Sequence, residues 1–169
     1  FNNAIKNKFI NFDGLLLYGP DRGQVLENFN IALEAVIPEI DDGFSVFELS
    51  SSDIKSDPSK LIDEATAISF LGKRKVIKIK DATDDVAETL NNLLKSYNKL
   101  EAFIILSADE LPPSSKLRNL FENNKRLAIL PNYIDEDENL SKIIIYTESW
   151  GRMFAWRGVL RVFITFSTN

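Results

Sequence analysis

The chain has 169 residues, 44% of them hydrophobic and 27% charged, with a net charge of −5. It is long enough for one full domain with a real core, too short for two large ones, and too apolar for intrinsic disorder. It contains neither Cys nor His, which excludes disulfides, Cys/His zinc sites, thiol nucleophiles and any imidazole base. The acidic balance argues against this domain alone being an electrostatic nucleic-acid binder, because affinity for a phosphate backbone comes from many Lys and Arg contacts.

The first stretch, "FNNAIKNKFINFDG", has no long apolar segment and no small-residue cleavage site, so the expectation is a cytoplasmic protein. No initiating Met is present, and the chain is expected to be a fragment. Five short apolar runs ending in turn or polar residues read as strands: "GLLLYGP" (14–20), "FSVFELS" (44–50), "KVIKIKDA" (75–82), "AFIILSAD" (102–109) and "RLAILPNY" (126–133). After the first, Leu26, Phe29, Leu33 and Val36 recur at helical steps, and Pro38 closes the pattern. After the second, Asp57 is a good N-cap before Pro58, and Leu61, Ala65 and Ile68 share one face. The third helix runs from Thr83, with Asp84 and Asp85 in its first turn and Val86, Leu90, Leu93, Leu94 and Tyr97 on one stripe. The fourth follows Pro112-Pro113, with Ser114 or Ser115 as cap and Leu117, Leu120 and Phe121 facing inward.

Strand and helix alternating in this way predict a doubly wound α/β domain with a mainly parallel five-stranded sheet and ligands or partners at the carboxyl ends of the strands. In "KVIKIK", Ile77 and Ile79 alternate with Lys78 and Lys80, the pattern of a strand with one wet face. The chain divides at about residue 145. Residues 146–169 hold both Trp, the one Met, and Arg152, Arg157 and Arg161 without any Lys, an atypical tail whose composition suggests a non-native continuation. No apolar run there reaches the length of a membrane span, so no membrane partner is expected.

The turn after the first strand sits where a phosphate-binding loop would. A working loop needs Gly-x-x-x-x-Gly-Lys-Ser/Thr: glycines that let backbone amides wrap the phosphates, Lys for the terminal charges, a hydroxyl for Mg²⁺. Counting from Gly19, the later positions are Gln24, Val25 and Leu26. Gly23 falls one residue early, and Arg22 belongs to a different part of the turn. The loop Gly19, Pro20, Arg22, Gly23, Gln24 therefore has the outline of a nucleotide site without its chemistry, and neither cofactor nor metal is expected. At the end of the third strand Asp81 is followed by Ala82, so an acidic pair is missing there. Asp109 and Glu110 form a pair of the right type that reads more simply as a solvated strand end.

"LLLYGPDRGQV", "ELSSSDIKSDPSKLIDEATAISFLGKRKVIKIKDA", "AFIILSADELPPSSKLRNLFE" and "LAILPNY" together resemble the first domain of the delta subunit family of the bacterial DNA polymerase III clamp loader, in its alphaproteobacterial style. The resemblance covers residues 5–145. It implies an AAA+ fold with a degenerate nucleotide site, in a subunit of a DNA-directed DNA polymerase holoenzyme. It also implies that the domain binds and helps open the beta sliding clamp without hydrolysing ATP itself. The clamp grip it implies is Phe70-Leu71. The other loader subunits, tau/gamma and delta prime, would be met through domains missing from these residues, and DNA only within the complex.

Read from the residues alone, Phe70 and Leu71 lie where the chain turns before Gly72, and at least one is exposed or both are core at a helix end. Lys73, Arg74 and Lys75 alongside would steer an acidic partner. A competing reading is a P-loop-like ATPase or nucleotide kinase with an unusual phosphate loop. A phosphoacceptor receiver domain ranks last, since Gly19-Pro20 stands where its acidic pair belongs.

Overall fold

A computed structural model describes residues 12–37, 46–68 and 74–133. Five strands form one sheet: β1 (Gly14–Tyr18), β2 (Val46–Ser50), β3 (Lys75–Lys80), β4 (Ala102–Ala108) and β5 (Leu127–Pro131). Their spatial order is β2-β3-β4-β1-β5, and every pairing is parallel. The helices are α1 (Arg22–Val36), α2 (Ser51–Ser56), α3 (Ser59–Thr66), α4 (Asp85–Ser96) and α5 (Lys116–Asn123).

Parallel strands need both faces covered, and the period of two in the strands supplies both. Leu16 and Tyr18 of β1, Ile77 and Ile79 of β3 and Ile104 and Leu106 of β4 turn to one side, where Ile54, Leu61, Leu90, Leu93 and Phe121 of the helices meet them. Leu15 and Leu17, Val76, and Phe103 and Ile105 turn to the other, against Val25, Phe29 and Leu33 of α1. Each such side chain, fully removed from water, contributes about 1.5 to 3 kcal/mol. So α1 covers one face and α2 to α5 the other, the doubly wound arrangement expected.

Several local expectations are corrected. In α1, Phe29 and Leu33 are buried and Val36 packs against them as predicted, but Leu26 is 58% exposed and Val25 takes its place on the buried stripe. The short helix α2 was not expected at all. Ser50 caps it, accepting from the Asp53 amide while the Asp53 carboxylate accepts from the Ser50 amide, a reciprocal capping box. In α3, Asp57 caps as predicted: its Oδ1 accepts from the Ser59 amide at 3.2 Å, with Pro58 already at helical dihedrals. But α3 stops at Thr66, Ala67 is extended, and Ile68 stands 79% exposed instead of closing the buried face. Tyr97, expected on the α4 stripe, follows the helix end and is 41% exposed. The wet face of β3 is half right. Lys80 is exposed, whereas Lys78 lays its ammonium 5.7 Å from the Phe29 ring.

Candidate functional site

In an open α/β sheet the crevice lies where adjacent strands send their following helices to opposite faces. Here those strands are β1, leading to α1, and β4, leading to α5. The loop from Gly19 to Gln24 sits at that point. Gly19 has φ +147°, and a Cβ there would lie 1.9 Å from the Asn132 carbonyl oxygen, so only glycine fits. The cause is close packing against the end of β5, where the Asn132 amide donates to the Tyr18 carbonyl at 2.7 Å. Gly23 meets only Asp21 Oδ1, at 3.3 Å.

The charges in this loop are paired within the chain. Asp21 caps α1, its Oδ1 accepting from the Gln24 amide at 2.9 Å, so a first-turn amide is already taken by the chain's own carboxylate. Arg22 donates to Asp109 Oδ2 at 2.6 Å across the mouth of the crevice. Asp109, which the sequence offered as half of a carboxylate pair with Glu110, thus holds the one cation of the loop. Among the described residues no group of three or more acidic side chains is placed to hold a metal ion.

The next carboxylate along this edge serves structure. Asp84 accepts from the Ser115 hydroxyl at 2.6 Å and the Leu117 amide at 3.0 Å, capping α5 from the neighbouring loop, while Ser115 accepts from the Arg118 amide. Burial opposes ionisation of Asp84, but those donors outweigh it and its pKa is lowered. Ala82, where a catalytic acid would follow Asp81, is buried, and its amide donates to the Ser107 carbonyl at 2.8 Å.

The opposite, amino edge of the sheet is built around Asp13, which sequence reading missed. This carboxylate is buried and accepts from Arg126 Nε at 2.5 Å, from the Leu100 amide at 3.1 Å and from Arg74 at 3.4 Å. Arg126 also donates to the Leu94 and Tyr97 carbonyls at 2.7 and 2.6 Å, collecting the end of α4. The Arg74 guanidinium lies 5.2 Å from the Phe103 ring centroid, and burial lowers its pKa. Lys75 pairs with Glu64 at 2.9 Å. The steering expected of Arg74 and Lys75 is therefore replaced by anchoring, since both are held by carboxylates of their own chain. Phe70, Leu71, Gly72 and Lys73 lie outside the described residues, as does the tail 146–169.

A five-stranded parallel sheet in this order, covered by helices on both faces and carrying a phosphate-loop turn without its lysine, defines a doubly wound α/β domain. Superposition agrees: a DNA polymerase III gamma subunit-related protein from Thermotoga maritima MSB8 matches with a TM-score of 0.53 at 16% identity, over 80% of this chain and 46% of that one. The DnaC helicase loader overlaps only at a TM-score of 0.37 and 19% identity, over 69% and 72% of the two chains, which adds nothing to the fold assignment. Residues 15–130 match the family DNA polymerase III, delta subunit, and the chain belongs to that family. A Rickettsia prowazekii (strain Madrid E) protein described as a probable DNA polymerase III subunit delta is 25% identical over 139 residues. That alignment takes in 78% of this chain and 38% of the relative, so the chain spans well under half of that protein's length. Among the described residues no helix is long and apolar enough to cross a membrane.

Proposed function

We propose that this chain is the clamp-gripping domain of a cytoplasmic bacterial clamp-loader delta subunit: it binds the beta sliding clamp and helps hold it open while other subunits hydrolyse ATP. The observation that carries this reading is the family match over residues 15–130. Two features of the geometry support it. The loop at the β1–β4 crevice presents Asp21 and the Arg22–Asp109 pair where a nucleotide would need uncompensated positive charge. At the other edge, the chain leaves α3 early and passes through exposed Ile68, two residues before Phe70 in the sequence.

Burying both side chains in a partner would contribute on the order of 3 to 6 kcal/mol, enough to dominate a micromolar contact. Contacts with tau/gamma and delta prime subunits belong to segments beyond the family match, and DNA is met only within the assembled loader. The test is the double variant F70A/L71A, assayed by surface plasmon resonance on an immobilised bacterial beta clamp. Binding is expected to weaken at least 100-fold with the melting temperature within a degree or two of wild type. Loss of the fold instead would place both residues in the core and remove the site. Saturable binding of ATP-Mg²⁺ at micromolar concentration, abolished by R22A, would favour the ATPase or kinase reading instead.

A further inference from the structure

The amino edge of the sheet carries a surface that neither the core nor the nucleotide loop explains. Ile68 is 79% exposed and Tyr97 is 41% exposed, two large side chains left in water at the same edge. The amide of Glu101 donates to the Ala65 carbonyl at 3.0 Å, which sets the last turn of α3 beside the loop between α4 and β4. Exposed Lys95 in the last turn of α4 and exposed Lys99 in that loop flank Tyr97, and neither pairs with a described carboxylate. The helix dipole accounts for a cation at Lys95. It does not account for Lys99, which lies outside any helix in a chain whose net charge is −5.

The loop bearing Tyr97 and Lys99 is exposed but held. Its Leu100 amide is fixed by buried Asp13, its Tyr97 carbonyl by Arg126, and its Glu101 amide by α3. Removing a carboxylate and a guanidinium from water is costly, and a hydrophobic pair of the same volume often serves stability as well. What Asp13 and Arg126 add is a short loop fixed in one conformation, and a rigid surface loses less entropy when it meets a partner.

We infer that Ile68, Tyr97, Lys95 and Lys99 form a preorganised docking face for an acidic protein surface. The occupant is a protein rather than a nucleic acid: the apolar exposure calls for a complementary apolar cleft, the cations for carboxylates around it, and Glu101 at the same rim disfavours a continuous phosphate backbone. This inference rests on the reading that the chain grips the sliding clamp. It adds that the lysines govern how fast that partner is found, and Ile68 and Tyr97 how long it stays.

Stopped-flow association of the fluorescently labelled chain with the beta clamp, over a series of salt concentrations, tests it. K95E/K99E is expected to lower the association rate constant about tenfold at low salt, flatten its salt dependence and leave dissociation nearly unchanged. I68S/Y97S is expected to speed dissociation at least tenfold with the association rate little altered. Both pairs are exposed, so circular dichroism and melting temperature should match wild type, and a variant that lost its fold would show these residues to be structural and overturn the inference. Rates untouched in both variants, with F70A/L71A still abolishing binding, would overturn the docking face and leave the proposed function standing. A wild-type chain that fails to bind the clamp would overturn both. Tighter binding of the wild type to a labelled DNA duplex than to the clamp, lost in K95E/K99E, would assign the edge to nucleic acid and also overturn it.

Discussion

The two edges of the sheet have divided the work of an α/β domain in opposite ways. At the carboxyl edge, where such folds usually place their ligand, the charged groups are exposed and pair loosely with one another: Arg22 and Asp109 keep 78% and 60% of their side-chain surface in water. At the amino edge, which such folds usually leave plain, a buried carboxylate gathers two arginines and a backbone amide. An exposed pair of charges leaves a loop's shape to its backbone, whereas charges taken out of water fix the loop they hold.

Removing charge at each edge in turn is the sharpest way to break this contrast. Asp13→Asn should destabilise by about 3 kcal/mol in urea titration, because it removes the buried carboxylate that Arg74 and Arg126 share. A change under ~1 kcal/mol would mean that the amino edge is as loosely held as the carboxyl one. Gly19→Ala should cost nearly as much, about 2 to 3 kcal/mol, from overpacking against Asn132 and a positive φ rather than from any lost ligand. If the added methyl group were tolerated, the turn would be kept open for something other than β5.

Asp84→Asn should cost on the order of 1 kcal/mol by weakening the cap of α5. Its folded pKa is lowered, so the stability it adds is fully present above the unfolded carboxylate range and is lost as pH falls through the lowered folded value. The gap between D84N and wild type should therefore close on acidification, checked by thermal melts from pH 7 down to pH 3. Smallest of all, Arg22→Ala should change stability by less than ~1 kcal/mol, the usual worth of an exposed ion pair. A larger loss would show that the carboxyl edge is held by charge after all.

The strands were legible because each is a short apolar run bounded by turn residues, and all five stand within two residues of their expected ends. Helix faces were less so. In α1 only the first position misleads: Leu26, the larger side chain, is exposed and Val25 faces the sheet, whereas Phe29 and Leu33 are buried as the period predicts. The helix α2 had a readable signal, Ser50 three residues before Asp53, that was passed over because six residues carry too little periodicity. Ile68 and Tyr97 fit their stripes in sequence but follow the last helical turn, where the period ends. The missing lysine of the nucleotide loop was plain from spacing alone. The Asp13–Arg126 pair was not, because the two residues are 113 apart in the chain and nothing in local pattern joins them.

That separation has a consequence for the nascent protein. β1 is the first described strand to leave the ribosome, yet both of its neighbours, β4 and β5, are among the last. Until translation has passed residue 131, β1 has an open side and Asp13 lacks Arg126, so the apolar segment 14–18 must wait, exposed or sheltered by a chaperone, for most of the domain's synthesis.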